Sequence, residues 1–136
     1  MSAPLRLAGI DHVVLRVADK AAMVSFYRDV IGCVVDWDRL ELGLTHLRAG
    51  ACLIDLVTLD GPLGRMGGAG PGPEGRNLEH LCLAVEDFDE AAIRAHLAGH
   101  GVEVTDAGPR YGARGEGPSI YVRDPEGTTV ELKGVS

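Results

Sequence analysis

The chain has 136 residues, 20 acidic and 13 basic, with a formal net charge of −7 and 46 % apolar residues. This length suits one domain with a real core and is too short for two independent ones. The acidic balance and the absence of any Lys/Arg run exclude a nucleic-acid partner, and no apolar stretch reaches the ~18 residues that a membrane span needs.

The opening MSAPLRLAGI has neither the apolar length nor the cleavage site of a signal peptide, so a soluble, cytoplasmic protein is expected. Cys33, Cys52 and Cys82 are odd in number and widely separated. They are expected to serve as small buried side chains rather than as a disulfide framework.

In chain order, the first predicted strand lies in IDHVVLRV, from Ile10. Asp19 then stands where it can cap a helix, and Ala22, Phe26 and Val30 recur near helical spacing as its apolar face. Gly32 ends the helix, and strands are predicted over 33–38, 42–49 and 51–58. The next segment, LDGPLGRMGGAGPGPEGRN, holds seven glycines and three prolines and fits no regular element. It reads as a linker, or as a lid over a site.

The pattern then starts again. LEHLCLAV from Leu78 repeats the apolar–acid–His–strand order of the first segment. Asp87 is the predicted cap, Ala91, Ala95 and Leu97 mark the helix face, Gly101 ends it, and strands are expected over 102–105, 117–123 and 128–133. The chain therefore reads as one α+β domain over 1–136, made of two βαβββ modules. Module one covers about 9–58, the linker about 59–77 and module two about 78–134.

Side chains alternate faces along a strand. His12 therefore shares a face with Val14 and Arg16, His80 with Cys82 and Ala84, and Glu131 with Thr129 and Lys133; the apolar residues between them face the helices. The repeat aligns LIDLV with TVELK, which sets Asp55 opposite Glu131 as a fourth member. Two imidazoles and two carboxylates are expected to line one cavity. That donor set suits a divalent first-row metal, and a bound ion would offset the cost of burying Glu131.

Other candidates carry weaker signals. PRYGARG gathers Arg110, Tyr111 and Arg114 in a predicted loop whose guanidinium groups could grip an anionic substrate group. The hydroxyl of Tyr121 could donate to an oxygen held at the metal. His46, His96 and His100 have no partner in the repeat. With two Phe, three Tyr and one Trp in the chain, no stacking platform for a planar ring is expected, which favours a small oxygenated substrate.

The paired modules, the strands IDHVVLRV and LEHLCLAV and the closing DPEGTTVEL resemble the vicinal oxygen chelate superfamily, which includes glyoxalase I, epimerases, extradiol dioxygenases and bleomycin- and fosfomycin-resistance proteins. The resemblance runs from about Ile10 to Lys133. It implies two curved mixed sheets forming a cup around a divalent ion (Fe, Mn, Ni, Co or Zn), with His12, Asp55, His80 and Glu131 as ligands, Asp55 being one methylene shorter than the usual Glu. It also implies a homodimer, since some members build each site from two chains.

GARGEGPSIYVRDPEGTTVE is similar to the extradiol dioxygenase signature, with Tyr121 ten residues before Glu131. The catalytic His of that signature falls on Arg114, a permanent cation that cannot shuttle protons. The implied function is thus a glyoxalase-like lyase or isomerase. It would chelate a small molecule through two oxygens while Glu131 or Asp55 moves a proton. A single-domain dioxygenase and a metal-free resistance protein that sequesters its ligand are the alternatives.

Overall fold

The computed structural model describes residues 3–135. Strand β1 (His12–Val17) leads into helix α1 (Lys20–Ser25), which continues as a π-helical stretch over Phe26–Ile31. β2 (Val34–Arg39), β3 (Leu44–Ala49) and β4 (Cys52–Thr58) complete module one. Module two consists of β5 (His80–Val85), α2 (Glu90–Gly99), β6 (Asp106–Gly112), β7 (Gly115–Arg123) and β8 (Thr129–Gly134). Each module forms one four-stranded mixed sheet, in the orders β1-β4-β3-β2 and β5-β8-β7-β6, with the first strand of each at a sheet edge.

Local chemistry accounts for the first helix. The Asp19 carboxylate accepts from the Ala22 N–H at 3.0 Å, and the π-helical stretch ends at Gly32, whose φ of 98° lies in the left-handed region that a Cβ disfavours. The second helix differs from expectation. Its cap is Asp89, which accepts from the Ala92 N–H at 3.1 Å, while Asp87 sits in the preceding turn at φ 50°. Its inward face is Leu97 with Ile93 partly covered, not Ala91 and Ala95, which are exposed.

The sixth strand is also displaced. Residues 102–105 are irregular, and β6 runs over Asp106–Gly112, paired antiparallel with β7. Pro109 lowers the strand signal, yet β6 is an edge strand, where a missing N–H costs no ladder bond. Arg110 and Tyr111 are therefore strand residues and only Arg114 lies in the turn, so the predicted gripping loop is a hairpin.

The helix-facing sides of both sheets meet in one core. Leu15, Val17, Leu47, Ile54 and Leu56 from module one join Met23, Phe26 and Tyr27, and the cluster continues through Leu97, Ile120, Val122, Val130 and Leu132 of module two. Polar ties reinforce the junction. Glu126 in the β7–β8 turn accepts from the backbone N–H of Ala18 and Asp19 at 2.9 and 2.7 Å, a carboxylate at the positive end of α1. The buried Tyr27 hydroxyl donates to Asp124 at 2.8 Å.

Burial pushes the Asp124 carboxyl above the ordinary carboxylate value, and the hydrogen bonds from Tyr27, Thr128 and Glu126 offset this only partly. Tyr27→Phe should cost about 1–3 kcal/mol, the penalty for leaving a buried acceptor without its donor. The loss should be larger at neutral pH than below the folded-state pKa of Asp124. A carboxylate needs the hydroxyl donor, whereas a protonated carboxyl does not. Urea midpoints at the two pH values check the sign.

The glycine-rich segment is folded rather than slack. Arg16, on the same face of β1 as His12, donates through Nε to the Gly64 carbonyl at 2.7 Å and through its other nitrogens to the carbonyls of Gly68 and Ala69 at 2.5 and 3.2 Å. Gly64 has no room for a side chain, because a Cβ there would lie 1.8 Å from the Thr58 carbonyl oxygen. Asn77 brackets the outer edge of β1, accepting from the Arg16 N–H and donating to its carbonyl.

Candidate metal centre

Module one brings His12 and Asp55 to the same face of its sheet, β1 pairing in parallel with β4. The His12 Nδ1–H donates to Asp11 at 2.7 Å, and its Nε2 stands 4.0 Å from Asp55 Oδ2. The Asp55 side chain is only 5 % exposed, and its other oxygen accepts from His46 Nδ1 at 2.8 Å. Module two repeats this arrangement. His80 donates to Glu79 through Nδ1, its Nε2 lies 3.1 Å from Glu131 Oε1, and the second Glu131 oxygen accepts from the buried Ser119 hydroxyl at 2.6 Å.

The acid immediately before each His thus holds one ring nitrogen and leaves Nε2 aimed at a buried carboxylate. This is how a residue outside the ligand set orients a ligating imidazole. The side-chain bond to Glu79 raises the His80 pKa above the ordinary imidazole value, with burial opposing and Glu131 assisting, and Asp11 does the same for His12. Burial pushes Glu131 up, but the hydrogen bonds of Ser119 and Tyr121 and the neighbouring His80 outweigh it and hold the carboxyl below its ordinary value.

The donor chemistry fits a divalent cation. Nitrogen and oxygen donors each about 2.1 Å from a shared ion lie about 3 Å apart, and His80 and Glu131 already stand at 3.1 Å. The four expected ligands do not meet within one chain, however. They form two pairs, and among the described residues no group of three or more His, Cys, Asp or Glu side chains is placed to hold one ion. His12 and His80 lie on edge strands, with side chains 47 % and 35 % exposed.

Tyr121 lies opposite Glu131 on β7, its ring edge-on to His80 with centroids 5.9 Å apart. Burial and the neighbouring Glu131 raise its pKa, while Arg110 opposes them. The Arg110 guanidinium sits 5.4 Å from the Tyr121 ring centre and bonds Asp106 at 3.1 Å, which puts it on the Glu131 face. Arg114 instead borders a cavity of about 640 Å³ beside the free edge of β5, together with Cys33, Cys52 and Cys82. All three thiols are free. Cys33 is buried as expected, and burial raises its thiol to about 11, whereas Cys82 is exposed.

Sequence reasoning missed Asp11, Glu79, Ser119 and above all His46. The signal for His46 was hairpin arithmetic: residues 46 and 55 are equidistant from the turn at Gly50–Ala51, so they pair directly across β3 and β4. His96 donates through Nε2 to the Val30 carbonyl at 2.8 Å, a tie between modules.

Comparison with known proteins agrees with this architecture. Over 130 residues the chain is 32 % identical to the Glyoxalase domain-containing protein RDO1 of Mycosarcoma maydis, covering 94 % of this chain and 69 % of that protein. An integron cassette protein from the mobile metagenome of V. Cholerae superposes with a TM-score of 0.74 at 26 % identity, over 97 % of this chain and 98 % of that one. A lactoylglutathione lyase from Agrobacterium tumefaciens shares the fold with a TM-score of 0.65 at 21 % identity, over 94 % of each chain. The family model for the Glyoxalase/Bleomycin resistance protein/Dioxygenase superfamily matches residues 9–132, nearly the whole of both modules, and the chain belongs to that superfamily.

Proposed function

We propose that the chain is a metal-dependent, glyoxalase-like lyase or isomerase that works in the cytoplasm as a homodimer. In this reading, module one of one copy and module two of another close around a single site. The observation that supports it is the duplicated acid–His–carboxylate arrangement on two edge strands. Each half supplies two donors, and neither half is a metal site alone. Two copies related by a twofold axis would bring unlike halves together twice.

His12, His80 and Glu131 would hold the ion, with Asp55 beside it. Bound there, a divalent cation supplies Lewis-acid polarisation of a carbonyl chelated through two neighbouring oxygens. Glu131, kept ionised by Ser119 and Tyr121, suits ligation and can accept a proton only weakly. Asp55, tied to His46, is the second carboxylate able to take a proton from the carbon next to the carbonyl. The Tyr121 hydroxyl, opposite Glu131, would donate to developing negative charge. Arg110 and, at the rim, Arg114 are the cations available for an anionic substrate group.

The test is isotopic. A substrate carrying deuterium next to its carbonyl should lose the label to water during turnover, without O₂ and with a redox-inert ion such as Zn²⁺ or Mg²⁺. Strict dependence on Fe²⁺ and O₂ would assign ring-opening oxygenation instead. Tight ligand binding by metal-free protein with no turnover would assign sequestration.

A further inference from the structure

Trp37 is the chain's single tryptophan. A β-bulge turns it toward the site: Val35 pairs with Leu47, the register then slips by one residue, and Trp37 rather than Asp36 lies opposite His46. Bulges re-aim side chains in this way. Val14, Asp55, His46 and Trp37 consequently form one row across β1, β4, β3 and β2 on a single face.

The indole is 56 % exposed, yet it is held. The Arg39 guanidinium sits 4.1 Å from its ring centre, and the His46 imidazole stacks beside it at 5.9 Å and 28°. His46 is in turn fixed by Asp55. The chain of contacts runs from the indole through the imidazole to the carboxylate of the proposed metal centre. Neighbouring strands are about 4.8 Å apart, so the indole stands about 10 Å from Asp55 along the row.

From this geometry we infer that Trp37, backed by Arg39 and flanked by His46, is a stacking shelf. It would seat a planar, conjugated group of the substrate while the metal-chelating oxygens of the same molecule lie toward Asp55. The inference deepens the functional reading above and rests on its placement of the substrate. Offset stacking on indole adds affinity beyond the area buried, and the exposed ring leaves room for a partner ring. The substrate class is therefore a small molecule with two neighbouring oxygens at one end and an aryl or similarly flat conjugated group at the other.

As the only tryptophan, Trp37 reports its own occupancy by fluorescence. Metal-loaded protein would be titrated with acetohydroxamate and benzohydroxamate, which share a bidentate head and differ as methyl against phenyl. Benzohydroxamate should quench Trp37 emission saturably and bind about tenfold tighter than acetohydroxamate. Trp37→Leu should keep its metal stoichiometry and its acetohydroxamate affinity but lose most of that preference, and Trp37→Phe should keep part of it.

Equal affinities for the two ligands, or a preference unchanged in Trp37→Leu, would overturn the shelf. So would an emission shift that follows protein dilution but not ligand, since a second copy would then cover the indole. If the protein takes up no ion, the enzyme reading fails separately. The shelf is then read in metal-free protein from benzoate against acetate, where a Trp37-dependent preference supports it and none overturns it.

Discussion

A mixture of His12→Ala and Glu131→Gln proteins, each without tight metal sites alone, is expected to regain about a quarter of the wild-type number per chain after the copies exchange. The arithmetic follows from twofold symmetry. Random pairing makes about half of the dimers mixed, and each mixed dimer has one site combining the intact His12 of one copy with the intact His80 and Glu131 of the other. Its second site carries both lesions. The expectation rests on the separation of the two donor pairs within one chain and on the edge position of β1 and β5. Metal titration of the mixture, with size measured in parallel, gives the count. No recovery from a mixture that has formed mixed dimers would mean that each chain completes its own site, and the reading of a site shared between two copies would fall.

Replacing His12, His80 or Glu131 with Ala should remove stoichiometric binding of Fe²⁺, Mn²⁺, Ni²⁺, Co²⁺ or Zn²⁺, whereas Asp55→Ala should weaken it less. Removing His80 or Glu131 breaks a pair already at ligand spacing, 3.1 Å; Asp55 has one oxygen committed to His46 and the other 4.0 Å from His12. Affinity should also fall as pH drops through the imidazole range. Both histidines have raised pKa values, and a proton must leave each before it ligates.

Glu79→Gln tests the cause of that shift. Without the Glu79 carboxylate the His80 pKa should come down, moving the onset of binding to lower pH. At pH values above the imidazole range affinity should fall about 10–100-fold, the usual cost of losing the group that orients a ligating His. Isothermal titration across pH separates the two effects. Tight binding by His80→Ala protein would remove the assignment.

The alternation of β1, β5 and β8 is a local property, legible in the order of residues alone. Each strand keeps apolar residues on the helix side, so His12, His80 and Glu131 had to share the other face once the strands formed. The duplicated module was equally legible, because an acid–His pair at the start of each first strand and an Asp-capped helix after it recur in the same order. Strand β6 was not, since Gly108, Pro109 and Gly112 depress strand propensity and only pairing with β7 makes the segment extended. The same held for Asp89 over Asp87, where both residues have capping chemistry and the helix start chooses between them.

Tertiary structure alone decided what surrounds the carboxylates. His46 reaches Asp55 through the register of β3 against β4, a contact nine residues apart along the chain. Strand parity would have sent Trp37 to the helix side; the bulge at Asp36 reversed it. The separation of the two donor pairs lay furthest from sequence. Parity fixes which face a side chain takes within its own sheet, but how two sheets sit relative to one another depends on the packing of Tyr27, Leu97, Val122 and their neighbours between them. That packing holds the helix-facing sides together and leaves both edge histidines half-exposed, because burying the apolar faces stabilises one chain far more than joining two charged half-sites could.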